Sequence, residues 1–258
     1  FAELGEVTLY ERHGELLTEA SFANQWRHHS GFHYPRSYST IREIQETKSE
    51  FEEVYGEIIL PIDSYYATAS AARHIPGDRY LDACRGMGLN FSVEQPPAGC
   101  LRTDLVSVCL KTDEKVLDFA AMRALIRARL EALPSVRLAL GHEATGARLL
   151  PNGGKILTIV RDGASEEESF DYVVNAGYAN TNLLAHWLGL PRRRLRFDFC
   201  EMLVLEIEMP AISMTVLDGP FTSLVATGHD NLFILSQVHA SVLRSDQPNS
   251  GLPPAMAA

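Results

Sequence analysis

Residues 6–11 read Glu-Val-Thr-Leu-Tyr-Glu, a short, β-branched and nearly all-apolar run between two acids. That pattern suits a strand buried on both faces, as strands of parallel sheets are. A hairpin cannot supply its parallel neighbour, because a crossover of a dozen or more residues has to restore the chain direction. Asp171-Tyr-Val-Val-Asn-Ala-Gly177 reads as a second strand of this kind, ending in small residues that let a ligand approach the backbone.

The stretches between and after these runs set the rest of the expected fold. Thr40 and Glu43 have the spacing of a capping box for a helix near 40–55, with Ile41, Ile44, Phe51 and Val54 or Tyr55 on its inward face. Residues 57–69 read as extended chain interrupted by Pro61, 77–88 as a short helix and 105–110 as a strand. Asp118 caps a helix near 119–133, where Met122, Leu125, Ile126 and Leu130 recur at helical spacing. From 136, the runs VRLAL, EATGARLLP and KILTIVRD suggest a small β-meander returning to the parallel strand FDYVVNAG, followed by a helix near 180–189. The last fifty residues read mainly as antiparallel strands, and 245–258 as a disordered tail. The expected class is mixed α/β (α+β). A Rossmann-like nucleotide-binding domain, 1–56 and 112–190, interleaves with an antiparallel-sheet domain, 57–111 and 191–244.

Composition narrows the partners. The 258 residues are 46% apolar and carry a formal net charge of −10, which repels a nucleic-acid backbone; the one basic run is Arg192-Arg193-Arg194. Cys84, Cys100, Cys109 and Cys200 form no CxxC pair, which argues against a structural zinc site and fits a reduced, cytoplasmic setting. No apolar run approaches the ~20 residues of a membrane span. Phe1–Gly5 reads like the tail of a helix and no Met opens the chain, so a fragment is expected.

Chemistry concentrates in Asn24-Gln-Trp-Arg-His-His-Ser-Gly-Phe-His-Tyr-Pro-Arg-Ser37, with three histidines and two arginines in fourteen positions. His28, His29 and His33 have no Asp or Glu near them in sequence, so no metal site is expected. Arg and His can instead offer donors to phosphate and to an electron-rich ring, with Gly31 permitting close approach and Pro35 stiffening the exit. An irregular surface loop is the plainer alternative. Glu11 closes its strand where a carboxylate can accept two hydrogen bonds from a ribose diol, although an acid simply facing water would look the same. Asn175-Ala176-Gly177 likewise reads either as a ligand contact or as an ordinary turn.

VTLYER, ASFANQWRHHSGFHYPRS, VLDFAAMRALIRARL and FDYVVNAG, in this order and spacing, resemble the FAD-dependent oxidoreductases of the D-amino-acid oxidase type. That superfamily includes glycine oxidase, sarcosine oxidase and L-2-hydroxyglutarate dehydrogenase. The resemblance covers most of residues 6–240, but neither the GxGxxG turn that opens such proteins nor their closing flavin-contacting segment has a counterpart. It implies an FAD cofactor with Glu11 and Arg12 at the ribose, Ser21, Asn24, Gln25, Arg27, His29 and Gly31 along the pyrophosphate and flavin, Glu143 and Ala144 at adenine, and Asn175, Ala176 and Gly177 as a further contact. His29, His33 and Tyr34 are the candidates nearest the reacting ring. The implied reaction takes hydride from a small amine or 2-hydroxy acid. Arg102, His229 and His239 are candidates for meeting an anionic substrate. Two rivals are a non-catalytic, cofactor-free module on the same scaffold and an NAD(P)-dependent oxidoreductase.

Overall fold

A computed structural model describes residues 2–3, 5–72, 74–218 and 221–254. In chain order the elements begin β1 (Val7–Glu11), β2 (Arg27–His28), α1 (Tyr38–Tyr55), β3 (Ile59–Leu60), β4 (Asp63–Ala69), α2 (Gly77–Gly86), β5 (Phe91–Val93), β6 (Val106–Thr112) and β7 (Lys115–Leu117). They continue with α3 (Phe119–Glu131), β8 (Val136–Leu140), β9 (Glu143–Leu149), β10 (Lys155–Arg161), β11 (Ala164–Phe170) and α4 (Thr181–Trp187). The last are β12 (Phe197–Cys200), β13 (Leu203–Glu206), β14 (Ile212–Leu217), β15 (Thr222–Ala226), β16 (Leu232–Gln237) and β17 (Val242–Asp246). The chain divides into two compact units, the first 1–22, 123–200 and 242–258, the second 23–122 and 201–241. Residues 23–56, which the sequence reading put with the nucleotide-binding half, group with the large sheet.

In the first unit β1 pairs in parallel with β8, from Val7 beside Val136 to Glu11 beside Leu140. VRLAL therefore leaves the expected meander, which is built from β9, β10 and β11 alone. The expected strand Asp171–Gly177 does not form: it has no ladder partner among the described residues and leaves Tyr172 87% and Val174 64% exposed. Its end is folded into a turn in which Asn175 Oδ1 accepts the Gly177 N–H at 3.1 Å and Asn175 Nδ2 donates to the Thr181 carbonyl at 2.8 Å. The tail is also ordered further than expected. Ser245 and Asp246 lie in β17, paired with β12, and the buried Asn182 side chain donates to the Gly251 carbonyl at 2.6 Å and the Arg193 carbonyl at 2.7 Å. The rest of the expected tail, 255–258, lies outside the described residues.

The second unit is built on a seven-stranded sheet in the order β13-β16-β15-β14-β4-β6-β5. It is mixed, because β14 runs parallel to β4 while the other pairs are antiparallel. β4 is central and buried on both faces. Tyr66 packs with Phe32, Ile41, Tyr80 and Leu110, while its neighbours Tyr65 and Ala67 pack with Cys109, Ile212 and Met214. β2 and β3 flank β7 in a small separate sheet.

Helix α1 starts earlier than its capping-box signal. Ser37 is the N-cap, Thr40 lies inside the helix, and the two hydroxyls bond each other at 2.7 Å, so the Thr40–Glu43 box does not form. Ile41 is buried and Ile44, Phe51 and Tyr55 partly so, whereas Val54 is exposed. Asp118 caps α3 as its position suggests, its Oδ1 accepting the Ala121 N–H at 2.9 Å.

Candidate functional site

The sequence-derived candidates divide between the units. In the first, Glu11 ends β1 at the same end of the parallel pair as Glu143 and Ala144, which open β9; the backbone bonds His142 N–H to Glu11 O, 3.0 Å, and Gly141 N–H to His13 O, 2.8 Å, tie the two chain segments. Glu11 Oε1 accepts the His13 N–H at 2.8 Å, which leaves Oε2 for a ligand. Beside Leu140, its partner in the ladder, opens a concavity of about 450 Å³ lined by Arg127, Glu131, Leu138, Leu140, His142 and Arg161. Arg12 is exposed and bonds Glu19, and Ser21 is exposed. Asn175, Ala176 and Gly177 are exposed in the turn before α4.

In the second unit the loop Asn24–Ser37 is built around buried polar groups. The Arg27 guanidinium is nearly sealed: Nε donates to Gln25 Oε1 at 2.9 Å, one terminal nitrogen to Thr215 Oγ1 at 2.7 Å and the other to the Tyr66 hydroxyl at 3.4 Å. Three donors are thus taken up, one by the loop and two by residues of the large sheet. Gln25 also donates to Ser236, and the exposed Asn24 accepts the Gln25 N–H at 2.6 Å. His28 turns away from the other histidines and stacks on Phe51 of α1, with ring centroids 5.6 Å apart; burial lowers its pKa.

His29, His33 and Tyr34 come together. Their ring centroids are 5.8 Å (His29–His33), 5.9 Å (His29–Tyr34) and 5.1 Å (His33–Tyr34) apart, and Phe221 closes on His33 at 5.0 Å. His33 is pushed down to about 4, first by burial and then by the charges of His29 and Arg27. The Nδ1 atoms of His29 and His33 are both buried without a hydrogen-bond partner in the protein. An orphaned nitrogen in such a place costs free energy unless something else bonds it. Gly31 packs closely on α1: at φ +114° its missing Cβ would stand 3.0 Å from Ile41 Cγ2.

The loop rests on a residue the sequence reading passed over. Glu114 is fully buried, its Oε1 accepting the N–H groups of Ser30 at 2.9 Å and Gly31 at 3.2 Å, its Oε2 the Tyr66 hydroxyl at 2.7 Å. Lys48 of α1 adds bonds to Ser30 Oγ at 2.7 Å and Asp113 at 3.0 Å. In the sequence Glu114 is one charge in the polar run Lys-Thr-Asp-Glu-Lys, which reads as an exposed turn; the apolar β6 and β7 on either side are the only hint of its depth. The substrate candidates do not gather into a site. Arg102 is exposed and forks onto Asp104 at 2.7 and 2.8 Å, His229 reaches Asp118 at 3.3 Å, and His239 is exposed. Among the described residues no three metal-ligating side chains cluster, and no helix is long and apolar enough to cross a membrane.

No family model matches the chain. It is 30% identical over 236 residues to the FAD-dependent monooxygenase FPY4 of Fusarium mangiferae, covering 90% of this chain and 57% of that protein. Among solved structures it is similar to glycine oxidase from Geobacillus kaustophilus, with a TM-score of 0.65 at 15% identity over 93% of this chain and 65% of that one. L-proline dehydrogenase from P. horikoshii gives a TM-score of 0.62 at 14% identity over 92% and 64%. The chain thus has the mixed α/β fold of these oxidoreductases, and it spans a little over half to two thirds of the length of the proteins it matches.

Proposed function

We propose that this chain, which shares its fold with glycine oxidase and is 30% identical over 236 residues to an FAD-dependent monooxygenase, forms the body of an FAD-dependent oxidoreductase acting on a small amine or 2-hydroxy acid. One observation carries the reading: His29, His33 and Tyr34 form one ring cluster, and within it the buried Nδ1 of His33 has no hydrogen-bond partner in the protein. The flavin, when bound, supplies the hydride acceptor, which no side chain can.

The chain's own groups would orient and deprotonate. Glu11 Oε2 is suited to accept the ribose hydroxyls, with the adjoining concavity as a seat for the adenosine end. A carbon that gives up hydride from an amine or alcohol must also shed the N–H or O–H proton. His33 is unprotonated at neutral pH; the burial that lowers it to about 4 makes it a weak base, so its Nδ1 is suited to take that proton only as hydride departure makes the N–H or O–H strongly acidic. Tyr34 and Phe221 beside it supply apolar walls that keep water from competing.

The test is His33→Asn with flavin reduction as the readout, using a panel of amines and 2-hydroxy acids. A loss of roughly a hundredfold or more in reduction rate at neutral pH, with flavin content unchanged, is expected for removal of a general base. An unchanged rate would remove His33 from the reaction. A second reading, monooxygenation, is favoured by the name of the 30% identical relative; it requires one atom of labelled dioxygen in the product, where hydride abstraction requires none. Purified protein devoid of flavin would favour the cofactor-free rival.

A further inference from the structure

Glu114 has no role in the reaction just proposed, yet it is the most completely enclosed charge in the second unit. It lies between β6 and β7 with 0% of its surface exposed, and three hydrogen bonds hold its two oxygens in place: Ser30 and Gly31 N–H on Oε1, Tyr66 O–H on Oε2. A carboxylate clamped by two consecutive backbone N–H groups cannot swing away. The next group on Oε1 is His29, whose Nδ1 stands 3.6 Å off and has no nearer partner.

A carboxylate only accepts hydrogen bonds, so an imidazole nitrogen facing it is stabilised with its proton on. The opposite ring nitrogen is then the one left for work, as when a carboxylate fixes the tautomer of a catalytic or metal-binding histidine. The Glu114 carboxyl is available for this at working pH. Burial by itself would raise it, but the nearby His29 imidazole, the Arg27 charge and the Tyr66 hydroxyl hold it down to about 2.

We infer that Glu114 is a positioning residue of the candidate site: it fixes His29 with a proton on Nδ1 and leaves Nε2 as the nitrogen that acts on a ligand. The inference rests on the reading of His29 as a group beside the flavin, but its test does not need the flavin. In free neutral imidazole side chains the Nε2–H form prevails, so a reversed tautomer is a signature that mere packing would not produce.

The experiment is long-range proton–nitrogen NMR of histidine-labelled protein as purified, with His29 assigned by its absence in His29→Asn. In the wild type the neutral ring is expected in the Nδ1–H form, by about tenfold over Nε2–H, which corresponds to about 1.4 kcal/mol. Glu114→Gln keeps the shape and removes the charge, and should lower that ratio several-fold. Tyr66→Phe keeps the charge and should leave Nδ1–H dominant. A wild-type ring in the Nε2–H form overturns the inference without recourse to any variant, as does a Glu114→Gln protein that folds and keeps the wild-type ratio. Protein lacking flavin but showing Nδ1–H retains this inference and loses the flavin reading; flavin-loaded protein showing Nε2–H does the reverse.

Discussion

Tyr66 and Tyr80 are both fully buried and both donate one hydrogen bond, Tyr66 to the Glu114 carboxylate at 2.7 Å and Tyr80 to the Phe32 carbonyl at 3.1 Å. Losing the donor to a charged oxygen costs roughly 1.5–3 kcal/mol, and losing one to a neutral carbonyl about 1 kcal/mol. Tyr66→Phe should therefore lower the urea midpoint clearly more than Tyr80→Phe, and equal shifts would mean the carboxylate is not held as described. Acid acts on the same cluster in two windows. His33 titrates near 6.5 when unfolded and near 4 when folded, so between those values the unfolded chain binds more protons and stability falls as pH falls. Glu114 shifts from 4.5 to about 2, so its contribution is complete above 4.5 and is lost as pH drops toward 2. His29, Arg27 and Glu114 are the charged groups acting on His33. Urea unfolding at a series of pH values should show both declines, and His33→Phe should flatten only the upper one.

The loop and α1 behave as one element pair. Gly31 adopts φ +114° with its Cα turned onto Ile41, so Gly31→Ala carries both backbone strain and a 3.0 Å contact. A loss of roughly 1–3 kcal/mol is expected. Adding Ile41→Ala to Gly31→Ala should relieve the crowding and leave the strain; a cycle by denaturant unfolding showing strict additivity would mean that the two residues do not meet. Much of this level was legible in the sequence. The apolar β1, the Asp118 cap and the periodicity of α1 and α3 are local signals, and local geometry decided them. Thr40 and Glu43 misled because Ser37 began the helix one turn earlier, which placed the box inside it. Asp171–Gly177 has the apolar content of a strand, but a strand exists only with a ladder partner, which no local pattern guarantees. Glu114 was illegible for a related reason: the burial of a turn residue is set by Ser30, Gly31 and Tyr66, which lie 48 to 84 positions away.

At the scale of the whole molecule, the chain passes from the first unit to the second at 22–23, returns at 122–123, and repeats the excursion between 201 and 241. Each unit is thus closed by segments distant in sequence, which is why helix and strand blocks alternate along the chain. Cofactor binding is the sharpest consequence of the nucleotide-binding reading. The direct measurement is the flavin content of the purified protein, by visible absorbance and by mass of the released cofactor, with binding titrated by added FAD. The account predicts FAD near one per chain, and Glu11→Ala weakening it by about tenfold or more through the lost ribose bonds, each tenfold being about 1.4 kcal/mol. Protein that holds no flavin and takes up none from excess FAD would contradict the account.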